Sequence, residues 1–170
     1  MNRHYDRYLV KKYAPMFRDR YGDMRTTAMC WGFECGNGWF NIINTLCGLI
    51  CSEWLFAKEQ YEYLQTRVGK TRYDFSIHLL PRDTDIVTED DVAEAKTIME
   101  EEEARVPVVT QVKEKYGGLR FYVHGASDEQ YAMIRFAESM SYSTCEVCGD
   151  RGRSNDSGWI TVRCKEHKND

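Results

Sequence analysis

Cys145, Cys148, Cys164 and His167 carry the clearest chemistry in the sequence. They stand in "CEVCGDRGRSNDSGWITVRCKEH" as two pairs, each with two residues between its members, and fifteen residues separate the pairs. Zinc takes four tetrahedral nitrogen and sulfur ligands, and two short-spaced pairs joined by a loop deliver them from little chain. Gly149, directly after the first pair, suits the tight knuckle in which backbone amides point at the sulfurs. The spacing therefore predicts a zinc site whose four positions are all filled by protein. A hydrolytic zinc keeps one position open for water, so the predicted role of this metal is structural. The loop between the pairs is polar, with only "GWITVR" strand-like, and a tail of that kind needs the folding energy a closed site donates.

The chain has seven cysteines. The start, "MNRHYDRYLVKKY", lacks an apolar signal core, and the richest apolar run, "TLCGLICSEWLFA", is too short to cross a bilayer and contains Glu53. These features predict a cytoplasmic protein with no membrane segment, in which cysteines are read as ligands, buried small hydrophobes or reactive thiols before disulfides. Cys30, Cys35, Cys47 and Cys51 lack the knuckle spacing with a following glycine. The favoured reading packs them as small apolar residues around Trp31, Trp39 and Trp54, and a second metal site is the alternative.

The second candidate surface lies in "VPVVTQVKEKYGGLRFYVHG", two runs rich in β-formers around Gly117-Gly118. The pattern predicts a hairpin with a primed turn. With Gly117-Gly118 as the turn, Tyr116 pairs with Leu119, Lys115 with Arg120, Lys113 with Tyr122 and Gln111 with His124. Period-two alternation then sends Val112, Tyr116, Leu119, Phe121 and Val123 to the core, with Glu114 as the exception. The opposite face carries Gln111, Lys113, Lys115, Arg120, Tyr122 and His124. Three cations beside an aromatic ring and a histidine could bind a phosphate, a nucleobase or an acidic partner, with Arg120 as the forked donor. The plainer reading is a solvated sheet face whose lysines discourage edge pairing.

The elements that must position these groups are read from periodicity and caps. Tyr5, Tyr8, Leu9 and Tyr13 recur at helical spacing, predicting a helix with a buried aromatic face that ends before Pro15. Gly36, Asn37 and Gly38 read as a turn, and Trp39, Ile42, Ile43, Leu46, Ile50 and Trp54 follow one helical face that runs on toward Tyr63. A short strand is expected around Phe75 to Leu79. Thr88 with Asp91 resembles a capping box opening an acidic helical segment near 88–104, whose run Glu100 to Glu103 is expected to be solvated. Ser127 with Gln130 caps a helix from Asp128 to about Ser141, with Met133, Ile134, Phe136, Ala137 and Met140 on its apolar side.

The resulting expectation is an α+β fold, about four helices on a small antiparallel sheet. It comprises an α+β domain over residues 1–141 and a zinc knuckle over 142–170 docked beside the hairpin. At 170 residues and 42% hydrophobic content the chain suits one domain or one domain with an appendage. The formal charge of −4 argues against coating nucleic acid or anionic membrane by bulk electrostatics, so any binding to such a partner must come from a local patch. Catalytic signatures are weak. There is no Walker loop, nucleophile elbow, H-E-x-x-H or dinucleotide fingerprint, and His4, His78 and His124 are scattered. A pairing of Cys35 with His78 or His124 has only residue types behind it.

Taken together, "FRDRYGDMRTTAMCWGFECGNGWFNIINTLC", "QVKEKYGGLRFYVHG", "MIRFAESMSYSTCEVCG" and "GWITVRCKEH" resemble a group of small, largely uncharacterised proteins of tailed bacteriophages and bacterial prophage regions. The resemblance covers most of the chain outside roughly Lys58 to Ala104, a segment longer here than in the group. It implies a setting, the cytoplasm of a bacterial host, and brings no established activity or active site. Small phage proteins without a catalytic motif often bind host machinery. Three functions follow as expectations. The first is a non-enzymatic protein that binds and modulates a host factor, including as a counter-defence inhibitor. The second is a nucleic-acid-binding zinc protein using the basic hairpin face, and the third is an enzyme acting on a nucleotide or nucleic acid.

Overall fold

A computed structural model describes residues 1–70, 86–155 and 158–168. The expected strand around Phe75 to Leu79 lies outside them. In chain order the elements are α1 (Arg3–Lys12), β1 (Phe33–Glu34), α2 (Phe40–Ile50), α3 (Ser52–Gln65), α4 (Glu89–Arg105), β2 (Val108–Lys115), β3 (Gly118–His124), α5 (Asp128–Ser141), β4 (Arg153–Ser154) and β5 (Val162–Arg163). The fold is α+β, with five helices among the described residues rather than about four. The chain forms two compact units, one of residues 1–50 with 106–170 and one of residues 51–105. The tail from residue 142 thus lies inside the first unit.

In the first unit the sheet has order β1-β2-β3 and is mixed, because β1 runs parallel to β2 while β2 and β3 form the expected antiparallel hairpin. Its inner face supplies Val109, Val112, Leu119 and Phe121 to a core shared with Leu9, Tyr13, Phe17, Phe33, Trp39 and Ile43. Only part of the aromatic face of α1 is buried, since Tyr13 is fully enclosed, Tyr5 stacks on Phe40 and Tyr8 stays exposed. Asp6 on α1 is also buried, held by Arg20 at 2.7 Å. The irregular segment after α1 therefore has a fixed anchor.

The long helix expected from Trp39 toward Tyr63 is interrupted. Trp39 sits in a short 3₁₀ turn, α2 ends at Ile50, and Cys51 leaves helical geometry before α3 begins. Cys47 and Cys51 are both buried, and burial pushes the Cys51 thiol up to about 12, as it does for Cys35. Trp31, expected in the core beside the cysteines, is exposed.

α5 matches its predicted span. Ser127 Oγ accepts from the Gln130 N–H and the Gln130 side chain accepts from the Ser127 N–H, closing both halves of the capping box. Its apolar side is only half used. Ile134 and Ala137 are buried against the sheet and α2, whereas Phe136 is 69% exposed and, with Leu49 and Met140, lines an open apolar groove of about 500 Å³ between α2 and α5.

The second unit pairs α3 with α4 around Leu64, Val87 and Ala95, flanked by Tyr61, Tyr63, Val92 and Ile98. Thr88 caps α4 as expected, with the Asp91 carboxylate accepting from the Thr88 N–H and hydroxyl at 2.8 and 2.7 Å. In the acidic run Glu100, Glu101 and Glu103 are exposed, while Glu102 is half-buried and pairs with Arg105. Glu100 faces Lys96 at 3.5 Å. Such surface pairs contribute little, and four carboxylates near a helix C-terminus oppose its dipole. Replacing Glu100 to Glu103 with Gln is expected to move the melting temperature by less than about 2 °C, or to raise it. A thermal melt that dropped by much more would place these carboxylates inside a stabilising network.

Candidate metal centre and hairpin face

The Cys145 to Gly149 segment is a tight turn in which the Gly149 N–H donates to the Cys145 carbonyl at 2.9 Å. Gly149 itself sits at φ +89°, a conformation that admits glycine most easily. The return strand brings up the second pair, since β4 and β5 form a two-stranded ribbon with Arg153 opposite Arg163 and Ser154 opposite Val162. The ligand atoms of Cys145, Cys148, Cys164 and His167 then fall within 4.8 Å of one another and could hold a metal ion. Cys148 Sγ lies 3.7 Å from Cys164 Sγ, and His167 Nδ1 lies 3.1 Å from Cys164 Sγ and 3.9 Å from Cys145 Sγ. A tetrahedral ion with metal–sulfur bonds of about 2.3 Å spaces its sulfurs by about 3.8 Å, so the cluster fits one. Among the described residues no other group of three or more His, Cys, Asp or Glu side chains comes this close.

The electrostatics of the knuckle divide its thiols: the Asp150 N–H lowers Cys148, but burial and its hydrogen bonds with Cys145 and Cys164 push it up to about 12. Burial pushes the Cys145 thiol up, but backbone N–H groups of Cys148, Cys164 and Val147 outweigh it and bring it down to about 7. His167 beside Cys164 lowers that thiol as well. A site that points amides and an imidazole at sulfur is prepared for a cation.

The knuckle is pressed against the front of the chain, a relation that sequence reading missed. The Gly38 N–H donates to the Glu146 carbonyl at 2.8 Å, the Gly36 N–H to Glu146 Oε1 at 2.8 Å, and Trp39 Nε1 to the Thr144 carbonyl at 3.0 Å. Arg163 takes the other Glu146 oxygen at 2.9 Å. A Cβ on Gly38 would stand 2.1 Å from the Cys145 carbonyl oxygen, and one on Gly36 would stand 2.2 Å from that of Glu146. The glycines read as a turn signal are there because two backbones touch.

The hairpin has a different register and the predicted faces except at Tyr116, which was expected to cover the core and is exposed in the turn. Lys113 pairs with Arg120, Glu114 with Leu119 and Lys115 with Gly118, which makes Tyr116-Gly117 the turn, at φ +54° and +76°. Both positive angles are what a type I′ turn requires. The slip is two residues, so side chains within the strands keep their faces while Tyr116 leaves the strand for the turn. Glu114 is explained by the turn, because its carboxylate accepts from the Gly117 N–H at 2.6 Å. A bulge between Val109 and Gln111 restores alternation, leaving Gln111 opposite Tyr122 and moving the partner of His124 to Val108.

On the outward face, Lys113, Arg120 and Tyr122 come together. Lys115 lies beside the turn, and His124 ends β3 about 13 Å along the strand from Arg120 at 3.3 Å per residue, away from the cations. Arg120 is only half-exposed. Its guanidinium donates to the Tyr142 hydroxyl at 2.7 Å and to the Leu119 carbonyl at 2.8 Å. Tyr142, absent from the sequence-based site, could have been suspected only from its position directly after α5. No family model, curated protein or solved structure matches the chain.

Proposed function

We propose that this chain is a non-enzymatic, phage-type binding protein of the bacterial cytoplasm that engages and modulates a host factor. In this reading zinc closes the knuckle, and the outward face of the β2–β3 hairpin is the working surface. The observation that carries it is a rule broken on that face. Lys113 and Arg120 stand directly opposite each other across the hairpin, where like charges destabilise a sheet. Local rules are broken at a cost, most often where a surface has a task. The ligand set supports the structural role of zinc, because Cys145, Cys148, Cys164 and His167 supply all four positions and leave none for water. Counter-defence inhibition remains one form this modulation takes in the phage setting.

The test uses the double variant Arg120→Ala, Tyr122→Ala. Both side chains lie outside the core, so the variant is expected to keep its metal and to lose no more than about 1 kcal/mol of stability. Immobilised wild type and variant are exposed to bacterial lysate with and without nuclease treatment, and the expected result is a partner held by the wild type alone. Equal capture by both proteins would remove the hairpin face as the working surface.

A further inference from the structure

We infer that the hairpin face extends onto the zinc ribbon as a stacking platform for single-stranded nucleic acid, a reading that rests on the hairpin being the working surface. Three cations on and beside the hairpin each lie against a different exposed tyrosine. Lys113 Nζ is 5.6 Å from the Tyr122 ring centre, Lys115 Nζ is 5.3 Å from that of Tyr116, and the Arg120 guanidinium is 5.7 Å from that of Tyr142. The rings are 42%, 63% and 44% exposed, respectively. An exposed ring beside a positive charge offers a splayed base a stacking partner and its phosphate a cation.

The platform is continuous with the ribbon. A Cβ on Gly118 would meet the Tyr142 ring at 2.4 Å, and one on Gly117 would meet the Ile160 side chain at 2.9 Å. Next to Ile160, Trp159 is 76% exposed, and the loop that bears it is braced by Asn155, whose side chain donates to the Trp159 carbonyl at 2.8 Å and accepts from the Thr161 N–H at 2.9 Å. Three phenols from the hairpin and the end of α5 thus border the ribbon segment that carries Trp159. Three acidic side chains that touch the hairpin accept from neutral donors. Glu138 accepts from the Phe121 N–H, Glu114 from the Gly117 N–H, and Glu34 from Gln111.

Tyr116 adds an independent observation. It is the only non-glycine residue at positive φ among those described, in a turn where Asn before Gly is the preferred choice. A bulky ring there costs stability and gains little burial. The observation fits a ring kept for contact. An acidic peptide would satisfy the cations but not four exposed rings, and a duplex hides the faces of its bases, so a single strand fits best.

The experiment measures anisotropy of fluorescein-labelled dT20 and U20 with the zinc-loaded full chain, against a 20-base-pair duplex and polyglutamate as a competitor. Both single strands are expected to bind at least about tenfold more tightly than the duplex, as base stacking requires. Three neutralised phosphates give a log–log salt slope of about −2, which weakens binding about twentyfold between 50 and 200 mM salt. Tyr116→Asn is expected to hold or raise the melting temperature while weakening single-strand binding at least about fivefold, and Trp159→Ala to weaken it similarly. No binding, equal binding of duplex, displacement by polyglutamate as effective as by unlabelled dT20, or wild-type affinity in both variants would each overturn the inference. If the single strands fail while a nuclease-resistant lysate partner still depends on Arg120 and Tyr122, the working surface stands and its ligand is a protein. If that dependence is also absent, both readings fail.

Discussion

Gly38→Ala is expected to unseat the knuckle and to cost several kcal/mol, although the same substitution in an ordinary helical turn would stabilise by roughly 0.5–1 kcal/mol. Gly38 lies in the 3₁₀ turn before α2, so its conformation would accept alanine. The space would not. The added methyl would stand 2.1, 2.5 and 2.8 Å from the Cys145 oxygen, the Gly149 nitrogen and the Cys148 nitrogen, all of them backbone atoms that hold the ligand turn in shape. Nothing there can swing away, so either residues 36–39 or the turn must move. Movement breaks the Gly38 to Glu146 and Trp39 to Thr144 hydrogen bonds and exposes an indole that is now fully buried. The expected signs are a lower melting temperature, faster zinc loss to a chelator and a change in tryptophan emission. Gly125→Ala is the control, since a Cβ there meets nothing within 4 Å and only its φ of +78° opposes it. A Gly38→Ala protein as stable as the wild type would mean that the front segment and the knuckle do not touch.

This contact shows where the sequence stopped being legible. The ends of α5 were readable because a capping box is complete within four residues, and the hairpin faces were readable within the strands because alternation depends only on parity, though not at Tyr116, which the turn takes. The hairpin register was not. "YGG" offers two adjacent pairs of residues for the turn, and the choice falls to tertiary contacts, with Glu114 on the Gly117 N–H and the Tyr142 and Ile160 side chains against Gly118 and Gly117. β1 had no pattern to find, being two residues that pair in parallel with the middle of β2. The candidate ligand cluster was legible because spacing alone declares it, but the surface on which it docks lies 110 residues earlier, in glycines whose local meaning is a turn. The sequence shows the type of such a residue and not what presses on it.

Cys164→Ser should have the largest effect of all, because it strikes the metal and everything the metal positions. The wild type is expected to carry one zinc per chain when purified without added metal, and the variant close to none. A wild-type stoichiometry near zero would remove the zinc assignment, and one near two would require a second site, which Cys30, Cys35, Cys47 and Cys51 do not form in this structure. Serine oxygen is a poor replacement for thiolate, and a small polar tail depends on the binding energy of its ion. A loss of several kcal/mol corresponds to roughly 10 °C or more in melting temperature for a chain of this length. The damage should also travel. With the ligand turn loosened, Glu146 no longer offers its carbonyl to Gly38 or its carboxylate to Gly36 and Arg163, and the ribbon no longer holds Ile160 against the hairpin turn. Binding should therefore fall together with stability, and both should recover in the wild type when zinc is restored after chelation. Arg120→Ala with Tyr122→Ala should separate the two quantities, losing binding at nearly constant stability and full zinc content. If Cys164→Ser kept its melting temperature yet lost binding, the knuckle would itself be the contact surface and the metal more than a support.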